Sequence, residues 1–295
     1  MGGHPTMLAR SNSPESGSDR SDHGQDLPAA TVKVPVEVHG RVDHAEMIDV
    51  IAEEVPVALV YNGISHVVMM ATPDDLEDLA LGFSLTEGIL ERPDQLFGVE
   101  TRSRGEGIEV TMHIAGDRFA ELKMRRRNLT GRTGCGLCGA DSLEQAIRPV
   151  GKVPFGFRPD DGAVQTAVDH LRDHQPLQAQ TGATHGAAWC SPAGEVLMVR
   201  EDVGRHNALD KLIGARIRET GESAFANGFA LVSSRASYEM VQKSANAGIG
   251  CLVAVSAPTA MAIREAEKAG LTLIGFARPG RHVTYTRGLA RPVSV

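Results

Sequence analysis

Phe229-Ala-Leu-Val232, Cys251-Leu-Val-Ala-Val255 and Leu271-Thr-Leu-Ile-Gly-Phe276 are three short apolar runs separated by stretches of helical composition, Ser237 to Ala247 and Pro258 to Ala269. Runs of four to six residues are strand-sized, and strands covered on both faces read as continuous apolar segments. Strand, helix, strand, helix, strand predicts parallel pairing with right-handed crossovers. Upstream, Leu209, Leu212, Ile213 and Ile217 mark another helix. Thr184 to Cys190 and Glu195 to Val199 read as strands joined across Ser191-Pro192-Ala193-Gly194, and Val164, Ala167, Val168 and Leu171 suggest one more helix. From about residue 149 to 295 the chain is expected to form an α/β domain.

Before it the pattern is smaller in scale. Val32, Val34 and Val36 alternate with polar residues as a first strand. Val55 to Tyr61 and Ser65 to Met70 flank Asn62-Gly63, a hairpin signal because type I′ turns need φ > 0. Thr72-Pro73-Asp74-Asp75 reads as a helix start with Thr72 as cap, followed by the apolar face Leu76, Leu79, Ala80 and Phe83 and closed by Gly88. Ile108, Val110 and Met112 alternate as a further strand, and Met69, Met70 and Met240 read as core filler. Residues 31–148 are therefore expected to form a small α+β domain, making the whole chain α+β. Residues 1–30, rich in Ser, Gly, Asp and Pro, read as a disordered tail with no apolar run that would suit a secretion signal or an anchor.

With 295 residues and 42% hydrophobic content, two domains can each bury a core. A formal charge of −7 and 4% aromatic residues argue against a nucleic-acid binder. No segment reaches membrane-spanning length.

Topology then picks out a ligand edge, because open α/β sheets bind ligands beyond the carboxyl ends of their strands. Arg200 to Asn207, Ser233-Ser234-Arg235, Ser256-Ala257-Pro258-Thr259 and Arg278-Pro279-Gly280-Arg281 fall there. Arginine forks and uncapped helix amides suit a phosphate-bearing ligand; Ser and Pro at the same places also serve as ordinary helix caps. No Walker A run is present. His206 stands in the densest polar stretch, whereas His185 lies within a strand and reads as a core or edge histidine.

Gly131-Arg-Thr-Gly-Cys-Gly-Leu-Cys-Gly139 is chemically different: two thiols, Cys135 and Cys138, among four glycines, shortly after Arg125-Arg126-Arg127. Nearby cations favour the thiolate that attacks sulfur or binds metal. The arginines are either a solvated helix face or an attractor for an anion. Cys190 and Cys251 sit in apolar strands and read as packing residues, so a four-cysteine zinc site needs fortunate geometry. A redox pair, or a binding chaperone with structural cysteines, is a further reading of the same loop.

Several stretches in order resemble the FdhD family, sulfurtransferases that prepare formate dehydrogenases. They are Glu54 to Gly63, Met69 to Asp78, Gly131 to Gly139, Arg200 to Lys211, Ser233 to Lys243, Val255 to Thr259 and Phe276 to Arg281, within a region from about Val34 to Arg291. The resemblance implies that Cys135 carries a persulfide received from a cysteine desulfurase, with Cys138 as second acceptor or resolving thiol. It implies delivery to the molybdenum (or tungsten) of a bis(molybdopterin guanine dinucleotide) cofactor, held as cargo, before insertion into apo-formate dehydrogenase. The cofactor-contacting loop then falls on Phe276, Ala277, Arg278, Pro279, Gly280 and Arg281, joined by Arg205, His206, Ser234 and Arg235 from the neighbouring strand ends. A cytoplasmic homodimer is implied, with no tightly bound metal and a larger domain similar to the three-layer α/β/α fold of cytidine deaminases. The Pro-Cys-x-x-Cys zinc signature of deaminases is absent, so deamination is not expected.

Overall fold

The computed structural model describes residues 27–39, 44–130, 150–154, 156–221 and 224–288. Residues 1–26 of the expected tail lie outside them, as do Cys135 and Cys138. The chain opens with a two-stranded antiparallel ribbon, β1 (Thr31–His39) and β2 (His44–Ala52). Next comes a four-stranded sheet in the order β4-β3-β6-β5, from β3 (Val55–Tyr61), β4 (Ile64–Ala71), β5 (Leu96–Arg104) and β6 (Gly107–Ile114).

The Asn62-Gly63 hairpin forms as its sequence dictates, with φ of 44° and 82° at the two turn residues. Asn62 also stands in for strand pairing: its Nδ2 donates to the Ile114 carbonyl and its Oδ1 accepts the Ile114 N–H, at 3.0 and 2.9 Å. Val57, Leu59, Tyr61, Val110 and Met112 are fully buried from this sheet. They pack with Leu76, Leu79 and Ala80 of α1 (Leu76–Thr86) and Leu122 of α2 (Gly116–Thr130).

Two expectations fail here. Thr72 does not cap α1: the N-cap residue is Asp75, in the left-handed region at φ 54° with no side-chain cap bond, and Thr72 is bonded to the other sheet instead. Met70 is 47% exposed on β4 rather than buried, because it points away from α1; Met240 is fully buried as expected.

The second sheet has six strands in the order β12-β11-β10-β9-β7-β8. It follows α3 (Asp161–His170) and the short α4 (Pro176–Thr181). Its elements are β7 (His185–Cys190), β8 (Val196–Asp202), α5 (Arg205–Thr220), β9 (Phe229–Val232), α6 (Tyr238–Asn246), β10 (Cys251–Ala254), α7 (Ala260–Ala269), β11 (Thr272–Arg278) and β12 (Arg281–Thr286). β9, β10 and β11 pair in parallel, as their sequence predicts; β7, β8 and β12 extend the sheet antiparallel.

Period-two alternation sorts the side chains into two cores. Ala187, Trp189, Ala230, Val232, Leu252, Ala254 and Leu273 pack against α5, α6 and α7. Ala188, Cys190, Phe229, Leu231, Cys251, Val253 and Ile274 pack against α3. The result is a three-layer α/β/α unit. Both crossover helices lie on one face, the consequence of right-handed connections that step in one direction across the sheet.

The two sheets meet where α1 crosses α5. A Cβ on Gly82 would overlap the Asp210 carbonyl, and one on Gly214 would overlap that of Asp78. Only glycine lets the helices approach so closely. We predict that Gly82→Ala or Gly214→Ala lowers unfolding free energy by about 3 kcal/mol. Gly116→Ala, where a Cβ meets nothing within 4 Å, stays within about 0.5 kcal/mol of wild type. Denaturant midpoints at unchanged slope measure the difference.

Candidate functional site

Antiparallel pairing of β7 with β9 sets the start of β7 beside the carboxyl ends of β9, β10 and β11. In the β7–β8 ladder His185 lies opposite Asp202, so β8 also ends there. The four polar loops expected from the sequence thus line one sheet edge. Hydrogen bonds stitch the last three of them together. The Ser233 N–H donates to the Gly186 carbonyl and the Gly186 N–H to Ser233 Oγ, both at 2.9 Å; the Ser256 and Thr259 amides donate to the Ser234 and Ala236 carbonyls at 3.4 and 3.0 Å, and the Phe276 amide donates to the Ser256 carbonyl at 3.1 Å.

Two of the three helices that begin at this edge lack a side-chain cap. Gly204 precedes α5, and Ser237 makes no cap bond at α6; Thr259 does cap α7, accepting the Ala262 N–H at 3.2 Å. The ordinary capping reading is right for one loop only. Arg205, the first residue of α5, has a buried Nε with no hydrogen-bond partner. The edge is rich in donors.

His206 and His185 report the field. His206 Nε2 lies 2.8 Å from Glu239 Oε2 and 3.4 Å from Ser237 Oγ. Burial, together with Arg205, Lys243 and Arg235, lowers its pKa from 6.5 to about 4 against the opposing pull of Glu239. A neutral imidazole donating to Glu239 satisfies that geometry. The His185 pKa is lowered too, first by burial and then by Arg205, against Asp202. Both histidines are neutral at pH 7 in a cationic field.

The expected ligand residues do not all face outward. Arg235, Arg278, Pro279, Gly280 and Arg281 are exposed, and Arg278 lies over the Phe276 ring, 5.8 Å from its centroid. Phe276 has φ 49°, a strained value for a bulky residue that turns β11 at its end. Ala277 is fully buried in the core against α3, so its methyl group cannot reach a ligand. Ser234 is 6% exposed and its hydroxyl donates to the Arg235 carbonyl, so it shapes the loop from within.

Other positions escaped sequence reading. Gln165 on α3 holds the Pro279-Gly280 turn, accepting the Gly280 N–H at 2.6 Å while its Nε2 lies 3.2 Å from His282 Nδ1. Its place on a helix exposed no local signal. Glu239, the partner of His206, was within reach, since it falls in the quoted stretch Ser233 to Lys243.

The thiol-bearing segment 131–149 lies outside the described residues, but the helix that leads into it is anchored. Arg118 on α2 donates to the Ile89 and Gly88 carbonyls and pairs with Glu91 at 2.7 Å. Arg125 donates to Gly88 and pairs with Glu121, which commits it to structure rather than to an anion. Cys190 and Cys251 are buried as expected. Burial pushes the Cys190 thiol up to about 12 and raises that of Cys251, as suits packing residues inside the sheet. Among the described residues no helix is long and apolar enough to cross a membrane.

The FdhD/NarQ family model matches residues 52–290. Over 237 residues the chain is 57% identical to the sulfur carrier protein FdhD of Cupriavidus necator strain H16, covering 80% of this chain and 82% of that one. Its fold resembles a crystal structure described as a formate dehydrogenase accessory protein from Desulfotalea psychrophila. The TM-score is 0.67 at 21% identity, over 87% of this chain and 97% of the other.

Half-buried His206 makes a pH prediction. Its folded pKa lies below the unfolded value, so as pH falls from 6.5 towards 4 the unfolded chain takes up the proton first and stability drops. Melting temperatures across that window should fall in the wild type and fall less in His206→Gln.

Proposed function

The chain belongs to the FdhD/NarQ family, and from that membership we propose that it is a sulfur carrier for formate dehydrogenase maturation. The observation that carries the reading is the extent of the match: residues 52–290 take in both Cys135 and Cys138 and every loop of the arginine-bearing sheet edge. In this proposal the Cys135 thiolate attacks the outer sulfur of a cysteine desulfurase persulfide. A new S–S bond forms, the old one breaks, and the desulfurase thiolate leaves. Once the acceptor is in place, and not before, Cys138 attacks the inner sulfur of the Cys135 persulfide. That closes a Cys135–Cys138 disulfide and expels hydrosulfide towards the acceptor, which leaves a disulfide for an external thiol to reduce.

The acceptor proposed is the molybdenum or tungsten of a bis(molybdopterin guanine dinucleotide) cofactor, bound as cargo. Its pyrophosphates are the class of anion that the edge suits: Arg205, Arg235, Arg278 and Arg281 are planar donors, His206 is held beside them, and two helices start there without side-chain caps. The two carboxylates beside these histidines are already engaged: Glu239 by His206 at 2.8 Å and Asp202 by the buried Lys211 at 2.7 Å. The proposal further includes division into units 31–148 and 149–295, a homodimer, a cytoplasmic setting, and apo-formate dehydrogenase as recipient.

Intact mass after incubation with a cysteine desulfurase and cysteine tests the carrier step. The wild type and Cys138→Ala should gain sulfur that a thiol reductant removes, and Cys135→Ala should not. No gain in the wild type beside a competent desulfurase would leave a cofactor-binding chaperone as the better reading.

A further inference from the structure

Two of the quoted stretches, Met69 to Asp78 and Arg200 to Lys211, have no direct part in the proposed sulfur chemistry for most of their residues. The structure brings them together. Thr72, fully buried, is bonded through two of its groups to the strand end that precedes α5 and through a third to α5 itself. Its N–H donates to Asp202 Oδ2 at 3.1 Å, its Oγ1 accepts the Val203 N–H at 3.1 Å, and its carbonyl accepts from Lys211 Nζ at 3.0 Å. Asp202 and Lys211, both 0% exposed, pair at 2.7 Å. The other oxygen of Asp202 accepts the Gly204 N–H at 2.7 Å and Asn207 Nδ2 at 3.0 Å. Asn207 Nδ2 reaches back to the Met70 carbonyl at 2.8 Å. Every bond to Asp202 therefore ends either on the four-stranded unit, on the buried cation, or on the turn that presents Arg205 and His206.

We propose that Thr72 is a positioning residue for the turn Gly204–Asn207, fixing from the opposite sheet where Arg205 and His206 stand at the ligand edge. This rests on the reading of that edge as an anion site. The backbone N–H and carbonyl of Thr72 hold Asp202 and Lys211 whatever side chain stands at 72. The hydroxyl alone holds Val203, the residue before the turn.

Thr72→Val keeps the branched shape and both backbone bonds but removes the acceptor for the Val203 amide. Thr72→Ser restores it. With GDP as the probe, titration calorimetry should show Thr72→Val binding about tenfold more weakly, the order expected for one lost buried hydrogen bond. Hydrogen exchange should quicken at Val203–Asn207 and stay unchanged in β3 and β10, with Thr72→Ser at wild-type values in both measurements. Wild-type exchange at Val203–Asn207 in Thr72→Val overturns the proposal. So does quickening spread evenly along α1 and α5, which marks Thr72 as mere adhesive between the helices. Should the wild type bind no GDP, the anion reading of the edge fails, and exchange at Val203–Asn207 still decides whether Thr72 sets the turn.

Discussion

Asp202 and Lys211 face each other at 2.7 Å with no access to solvent, and Asp210, the residue before Lys211 on α5, receives Lys243 at 2.8 Å and the Thr86 hydroxyl at 2.7 Å. Desolvation offsets most of the attraction in such pairs, so they are a poor source of net stability. What they enforce is geometry: a buried charge that loses its partner is severely penalised, and only one arrangement satisfies all of them. Burial raises the Asp210 pKa, with Lys243 and the Thr86 hydroxyl opposing it. The glycine crossing of α1 and α5 is what brings these groups within reach. Arg200 and Arg218 continue the junction at its rim, both bonded to Asp78.

Such a junction matters for the proposed carrier, because the helix that precedes the Cys135–Cys138 segment packs on the four-stranded sheet while the arginine-bearing edge belongs to the six-stranded one. α2 leads towards the thiol segment and is tied to the C-terminal turn of α1. Residue Thr72, just ahead of α1, is tied to the start of α5. α1 thus stands between the route to the thiols and the edge where anion donors gather. Arginines at a sheet edge attract phosphate in many proteins; here the element behind them is a close-packed helix crossing. The proposed chemistry uses this division, with sulfur loaded on one unit and the acceptor held on the other.

Much of this was legible, for identifiable reasons. β9, β10 and β11 are buried on both faces and so read as unbroken apolar runs between Ser-, Pro- and Gly-bearing loops. Asn62-Gly63 announces its turn because few other pairs accept two positive φ values. β5 was missed: its solvent face carries Glu100, Arg102 and Arg104, its other face carries Thr101 and Ser103, and Phe97 is 71% exposed, so no apolar alternation marks it. β2 and β12 are likewise half-exposed, and α2 hides two apolar anchors, Phe119 and Leu122, in a charged sequence. Thr72 was misread because a local capping signal coincided with a tertiary partner 130 residues away. At the site, residue type revealed the loops, whereas only the ladder revealed that Ala277 faces inward.

The most direct test of the account is a single-turnover transfer with sulfur-labelled persulfide on the purified protein and the bis(molybdopterin guanine dinucleotide) cofactor as acceptor. Wild type and an Arg235→Ala/Arg278→Ala double variant would be loaded to the same extent, and label reaching the cofactor would be followed with time. Label should pass to the cofactor from the wild type and fail to pass, or pass far more slowly, from the double variant. Equal transfer by both proteins, or none by the fully loaded wild type, would contradict an acceptor held at the arginine-bearing edge.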